Sequence, residues 1–139
     1  MSAFVLDCSV AIAWCIEDEV TPETDLLLDR AQAEGASVPG LWPLELGNVL
    51  LVAVRRGRLS AMDVTARLAI IAELPIRIDS ETAARALHDI LALARTERLT
   101  TYDAAYLELA MREGLPLATR DRDLARAAER TGVELLLPA

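Results

Sequence analysis

Short apolar runs alternate with longer amphipathic stretches from one end of this chain to the other, and that alternation leaves few architectures open. Phe4-Val5-Leu6, Ser37-Val38, Ile76-Arg77-Ile78, Leu117-Ala118-Thr119 and Glu134-Leu135-Leu136-Leu137 read as short strands. Helix signals fill the intervals. A helix over Ser9–Glu17 follows the first run at once. Thr21-Pro22 supplies an N-cap with proline behind it, opening a helix to about Glu34 that Gly35 ends. Pro43 opens a strongly apolar helix to about Arg56, with Gly57 as its stop. Ser60–Glu73 is another helix, and Ser80 caps a long one to about Arg95, extending at most to Arg98. Thr100 or Thr101 caps a helix over Asp103–Glu113, ended by Gly114, and Asp121–Arg130 is the last. Strands joined through helices pair in parallel, so the expected fold is α/β around a five-stranded parallel sheet. The 139 residues show no repeat, linker or low-complexity tract, so residues 1–139 are expected to form one domain.

Composition removes several chemistries. All fourteen basic residues are arginine, which excludes lysine-based phosphate loops and Schiff-base catalysis. His88 is the single histidine, and no G-x-S-x-G or G-x-G-x-x-G is present. Cys8 and Cys15 have neither C-x-x-C spacing nor a second pair for zinc; they suit reduced thiols in a cytoplasmic core. The N-terminus lacks a signal peptide's basic region, and no apolar run approaches a membrane span of ~20 residues. A soluble, cytoplasmic protein without membrane contact is expected. The formal charge of −8 argues at first against nucleic acid. Its distribution reverses the inference: residues 1–54 carry nine acids and one arginine, whereas residues 55–139 carry thirteen of each.

Carboxylate chemistry survives these exclusions. Ligands of open parallel sheets bind beyond the carboxyl ends of the strands. Asp7 and Asp121 follow two expected strands, Asp103 opens the helix leading into the second of them, and Glu45 stands alone in an apolar helix. Four acids in one cleft repel one another, and divalent cations relieve the repulsion; an all-oxygen set selects Mg²⁺ or Mn²⁺ over zinc. Each acid also has a local alternative. Asp7 and Asp121 suit helix N-caps, Glu45 suits the first turn behind Pro43, and Asp103 suits a capping arrangement with Thr100.

The segments Val5-Leu6-Asp7-Cys8-Ser9-Val10, Pro43-Leu44-Glu45-Leu46-Gly47-Asn48-Val49-Leu50, Leu99-Thr100-Thr101-Tyr102-Asp103-Ala104-Ala105-Tyr106 and Leu117-Ala118-Thr119-Arg120-Asp121-Arg122-Asp123-Leu124 together resemble the PIN domain, and more closely the VapC toxins of bacterial type II toxin–antitoxin pairs. The resemblance runs from about Phe4 to the C-terminus. It implies a three-layer α/β/α fold and a Mg²⁺- or Mn²⁺-dependent endoribonuclease. In that pattern Asp7, Glu45, Asp103 and Asp121 match the acidic quartet, with Asp7 and Asp103 the most direct metal ligands. Ser9 matches a hydroxyl supporting the first acid, Thr119 the threonine before the fourth, and Asp123 an accessory acid. Cys8 departs from the small or hydroxylic residue of many relatives. The resemblance also implies a cognate antitoxin, a homodimer, and no direct DNA binding except through the antitoxin.

Arg120 and Arg122 flank Asp121, so at least one is expected near the cleft mouth, as a contact to RNA. Arg55, Arg56 and Arg58 either suit the C-terminus of their helix or form part of a phosphate track. His88 is expected on a helix surface without a catalytic task. Trp14 and Tyr106 are expected in the core, whereas Trp42 and Tyr102 neighbour proposed site residues. The Pro43–Arg56 helix is apolar almost all round and needs cover on two sides, one from the sheet and one from a partner. Two rival readings keep much of this: a PIN-like nuclease in RNA processing, and a non-catalytic acidic module that binds a helix and uses its carboxylates only as caps.

Overall fold

In the computed structural model, which describes residues 2–137, four strands form one parallel sheet. They are β1 (Phe4–Leu6), β2 (Ala36–Val38), β3 (Ile76–Ile78) and β4 (Leu117–Ala118), in the order β3-β2-β1-β4. Every residue of β1 and β2 is buried. Successive strand residues point to opposite faces, so unbroken burial means that helices cover both faces. This produces the three layers that a βαβ chain requires.

The fifth expected strand, Glu134–Leu137, is not one. It contributes a single parallel bridge between Leu117 and Leu135. The reason lies in the length of β4. Ala118 directs its carbonyl to the Asp7 N–H on the β1 side, so only Leu117 faces the outer edge. Its N–H donates to the Glu134 carbonyl and its carbonyl accepts from the Leu136 N–H, which exhausts that edge.

The helices are α1 (Cys8–Cys15), α2 (Pro22–Glu34), α3 (Trp42–Arg55), α4 (Ala61–Ala72), α5 (Thr82–Arg85), α6 (Leu91–Glu97), α7 (Thr101–Glu113) and α8 (Arg122–Thr131). Thr21 with Thr24 and Ser60 with Asp63 form reciprocal capping boxes at the starts of α2 and α4. A short 3₁₀ turn, Glu17–Glu19, separates α1 from α2 and was not visible in the sequence pattern. The long helix expected from Ser80 also differs. Glu81 occupies its N-cap, and a π turn over Ala86–Ile90, which contains exposed His88, divides α5 from α6. Tertiary bonds override the local cap: Thr82 Oγ1 accepts from the Gly40 N–H at 2.8 Å and donates to Asp79 Oδ2 at 3.2 Å. Asp79 is buried and also takes Arg112 Nη2 at 2.7 Å, while Arg112 Nε donates to both oxygens of buried Glu108 at 3.0 Å.

The core joins β1, α1, α3, α7 and α8, with Phe4, Leu6, Val10, Leu50, Leu107, Leu109 and Leu124 nearly or wholly inaccessible. No described helix is long and apolar enough to cross a membrane.

Candidate active site

The chain leaves β1 toward β2 on one side, while β4 lies on the other. Connections therefore diverge between the carboxyl ends of β1 and β4, the place where an open parallel sheet forms a crevice. Asp7 follows β1 directly, and Thr119-Arg120-Asp121 follows β4.

Asp7 sits at the N-cap of α1, yet its side chain makes no capping bond. Instead Ser9 Oγ and Thr119 Oγ1 both donate to Asp7 Oδ2, each at 2.7 Å. The two hydroxyls are themselves aimed by backbone: the Arg120 N–H donates to Ser9 Oγ at 2.9 Å, and the Asp121 N–H to Thr119 Oγ1 at 3.0 Å. One carboxylate oxygen is thus fixed by two relays, and among the described residues Oδ1 takes no side-chain hydrogen bond. Burial raises the Asp7 pKa against these two hydroxyl bonds, and the Asp121 charge raises it further.

Asp103 lies in the first turn of α7. Thr100 Oγ1 accepts from its backbone N–H at 3.1 Å, but no reciprocal bond forms, so the carboxylate is not used in the cap. Its pKa is pushed up to about 6 by burial, then by the charges of Asp121, Asp7, Glu45 and Asp123. Those same charges show that the carboxylates share one electrostatic neighbourhood. Glu45, in the first turn of α3, accepts from Tyr106 Oη at 2.5 Å through Oε1. Burial raises its pKa against that bond, and Asp7 adds to the rise. Asp121 does act as an N-cap: Oδ1 accepts from the Leu124 N–H at 2.8 Å. Local capping therefore explains one of the four acids and fails for Asp7 and Asp103.

Among the described residues, no three carboxylates, thiols or imidazoles are drawn together into a ready-made metal cage. Glu45 and Asp121 each direct one oxygen to a protein donor, and mutual repulsion holds like charges apart. The donor chemistry nonetheless fits a hard divalent cation: all donors are oxygens, and at Asp7, Glu45 and Asp103 burial first and neighbouring carboxylate charge second raise the pKa, both of which a bound cation would offset. Cys8 is buried, with its thiol pushed up to about 12 by burial and then by the charges of Asp7 and Glu45, so it adds no thiolate to the set.

Other expected positions fall as follows. Arg120 is tied back, its Nη1 donating to Glu19 Oε1 at 3.2 Å, and Arg58 Nη2 holds the other oxygen of Glu19 at 3.0 Å. Arg122 is exposed and takes part in no ion pair among the described residues; Asp123 is likewise exposed. Trp42 is buried with its Nε1 unpartnered, and Tyr102 is 63% exposed beside Asp103. Trp14 is half-buried, bonding the Thr24 carbonyl. Tyr106 is fully buried as expected, but its hydroxyl does more than pack. Its place three residues after Asp103 puts both on one face of α7, and this spacing was the available signal.

A parallel sheet with Asp7 and Asp121 at the β1/β4 switch point, within electrostatic reach of Asp103, defines a class. The family model of the PIN domain matches residues 4–130, and the chain belongs to the PIN-domain family. Ribonuclease VapC3 of Pyrobaculum aerophilum is 31% identical over 121 residues, spanning 87% of this chain and 91% of that protein. The crystal structure of PAE2754 from Pyrobaculum aerophilum is similar over 97% of this chain and 91% of its own, with a TM-score of 0.72. At 24% identity that likeness speaks for the fold.

Proposed function

We propose that this chain is a divalent-metal-dependent endoribonuclease and the toxin of a type II toxin–antitoxin pair, acting in the cytoplasm. The observation that carries the reading is the Asp7 carboxylate, buried and held through Oδ2 by Ser9 and Thr119 while Asp103, Glu45 and Asp121 surround it with charge. The match to the PIN-domain family and the similarity to ribonuclease VapC3 support the reading.

Asp7 and Asp103 would hold Mg²⁺ or Mn²⁺ most directly, with Glu45 and Asp121 completing the set directly or through water. Such an ion lowers the pKa of a coordinated water and offsets charge gathering on the phosphate. Ser9 and Thr119 fix the rotamer of Asp7, and Tyr106 fixes that of Glu45, so little reorganisation is left for the reacting complex. Arg122, free beside Asp121, meets the phosphate chain. Attack of water at phosphorus breaks the bond to the 3′ oxygen, leaving a 5′ phosphate and a 3′ hydroxyl. No histidine is needed, in keeping with the exposed position of His88.

The antitoxin reading draws support from α3 and α4. Leu44, Leu51, Met62 and Ile70 are exposed, and Gly47, Leu50, Leu51, Val54, Val64 and Leu68 border an apolar groove of about 360 Å³. A helical antitoxin segment, or a second copy in a homodimer, would cover such surface. Incubating the purified chain with single-stranded RNA tests the enzymatic reading. Cleavage is expected with Mn²⁺ or Mg²⁺ and not in EDTA, and a D7N/D103N double variant that still cuts in EDTA would overturn it.

A further inference from the structure

Where the end of α6 meets α8, Thr96, Glu97, Arg98, Asp123, Arg126 and Arg130 border a cleft of about 410 Å³. Its charges are not balanced internally. Glu97 is engaged by Arg130, whose Nε donates to Oε1 at 2.8 Å and whose Nη2 reaches the Glu97 carbonyl at 3.4 Å. Among the described residues, neither Arg98 nor Arg126 forms an ion pair. Asp123 shares a face of α8 with Arg126 at three-residue spacing, also without an ion pair. Asp123 links the cleft to the active site, because its charge acts on Asp103.

The backbone at Arg98 carries independent information. Helices α2, α7 and α8 run out onto Gly35, Gly114 and Gly132, all at positive φ. Helix α6 runs out onto Arg98 at φ 57°, ψ 43°, and Arg98 is the only non-glycine residue with positive φ among the described residues. Left-handed backbone is disfavoured for any residue with a β-carbon, and glycine would serve the fold better there. An unpaired guanidinium kept at such a position points to use outside the fold.

We propose that this cleft binds a backbone phosphate of the RNA strand at a nucleotide flanking the scissile bond, with Arg98 and Arg126 as its two donors. The inference rests on the ribonuclease reading and extends it to a second contact along the strand. Guanidinium forks match phosphate oxygens in pairs, and such contacts fix the register of the strand without reading bases.

The test follows cleavage by the full chain in Mn²⁺, using a mixed-sequence twelve-nucleotide RNA and a dinucleotide whose one phosphate is the scissile one, across a range of salt. Removing two phosphate contacts lowers the slope of log(kcat/KM) against log salt by about 1.4 and costs about tenfold at low salt, for R98A/R126A on the longer substrate only. R30A/R85A, which removes two arginines held in ion pairs along their own helices, leaves that slope unchanged. R98G separates function from folding, since it holds or raises Tm while still losing activity on the longer RNA. An unchanged slope in R98A/R126A, or an equal change in R30A/R85A, overturns the subsite while leaving the ribonuclease standing. Absence of any cleavage by the wild-type chain overturns the ribonuclease reading and the subsite with it.

Discussion

Thr119 donates its hydroxyl to Asp7 Oδ2 at 2.7 Å across 112 residues of sequence, joining the carboxyl ends of two adjacent strands through one hydrogen bond. Because the Asp121 N–H in turn donates to Thr119 Oγ1, a shift of the β4 loop is felt at Asp7. T119V keeps the shape and removes the relay. We expect a folded protein with Mn²⁺ affinity weakened about 10- to 100-fold, the usual effect of losing a group that orients a metal ligand. T119S should restore most of it. Titration calorimetry with Mn²⁺ provides the readout; equal affinities for the wild type and T119V would show that the relay does not organise the site.

Asp103 should oppose folding when no cation is present. Its carboxyl is pushed up to about 6, so the charged form is disfavoured at neutral pH. D103N is expected to abolish cleavage yet raise the stability of the metal-free protein, by about 1 kcal/mol once partial exposure is discounted. Chemical denaturation in EDTA measures this. A destabilised D103N would mean that Asp103 makes structural bonds in place of awaiting an ion.

The same shift sets a pH dependence. With the folded pKa above the ordinary 3.8, the folded state binds more protons between the two values, so stability falls as pH rises through about 6. Metal-free protein should therefore gain Tm from Asp103 on going from pH 7 to pH 5, and D103N should lose this component. Cation affinity runs the other way and weakens as pH drops through about 6, because proton and ion compete for one carboxylate.

Legibility in the sequence followed the range of the forces involved. Strands β1 to β4 and the caps at Thr21 and Thr100 were readable because each depends on neighbours within a few residues. Ser80 failed as a cap because Thr82, Asp79 and Arg112 form a network across three elements. The fifth strand failed because its partner edge offers the groups of Leu117 alone. At the site, the acids were readable as residue types. The diversion of Arg120 to Glu19, the Tyr106 hydroxyl and the left-handed Arg98 depend on packing that no local pattern records.

Arg112 should be the most destabilising of the charged residues to remove. It bonds buried Asp79 at 2.7 Å and buried Glu108 at 3.0 Å, and R112A leaves both carboxylates uncompensated. A loss of about 3 kcal/mol is expected, whereas D79A, which leaves Arg112 with Glu108 and Glu81, should cost less. Burial raises the Asp79 pKa, but the Arg112 hydrogen bonds and charge outweigh it and hold the carboxyl below its usual value. Its contribution is thus present above about pH 4 and lost as pH falls through the lowered value. Urea denaturation of the two variants at neutral and acid pH ranks them; a larger loss in D79A would contradict the assignment of Arg112 as the hub.

Tyr106 offers a separation of packing from chemistry. Its ring is fully buried, so Y106F keeps the core volume and gives up only the hydroxyl bond to Glu45 Oε1. The loss in stability should be about 1 kcal/mol. The functional effect is larger in kind, because that bond lowers the Glu45 pKa against burial and the Asp7 charge, both of which raise it. Without it the carboxyl is protonated at a higher pH, and its side chain is no longer held toward α7. The acid limb of the pH–rate profile should therefore move upward in Y106F, with activity recovering toward wild type at higher pH. E45Q should remove the dependence on Tyr106 altogether, so Y106F in an E45Q background changes nothing further. An unshifted acid limb in Y106F would restrict Tyr106 to the packing role its burial alone assigns.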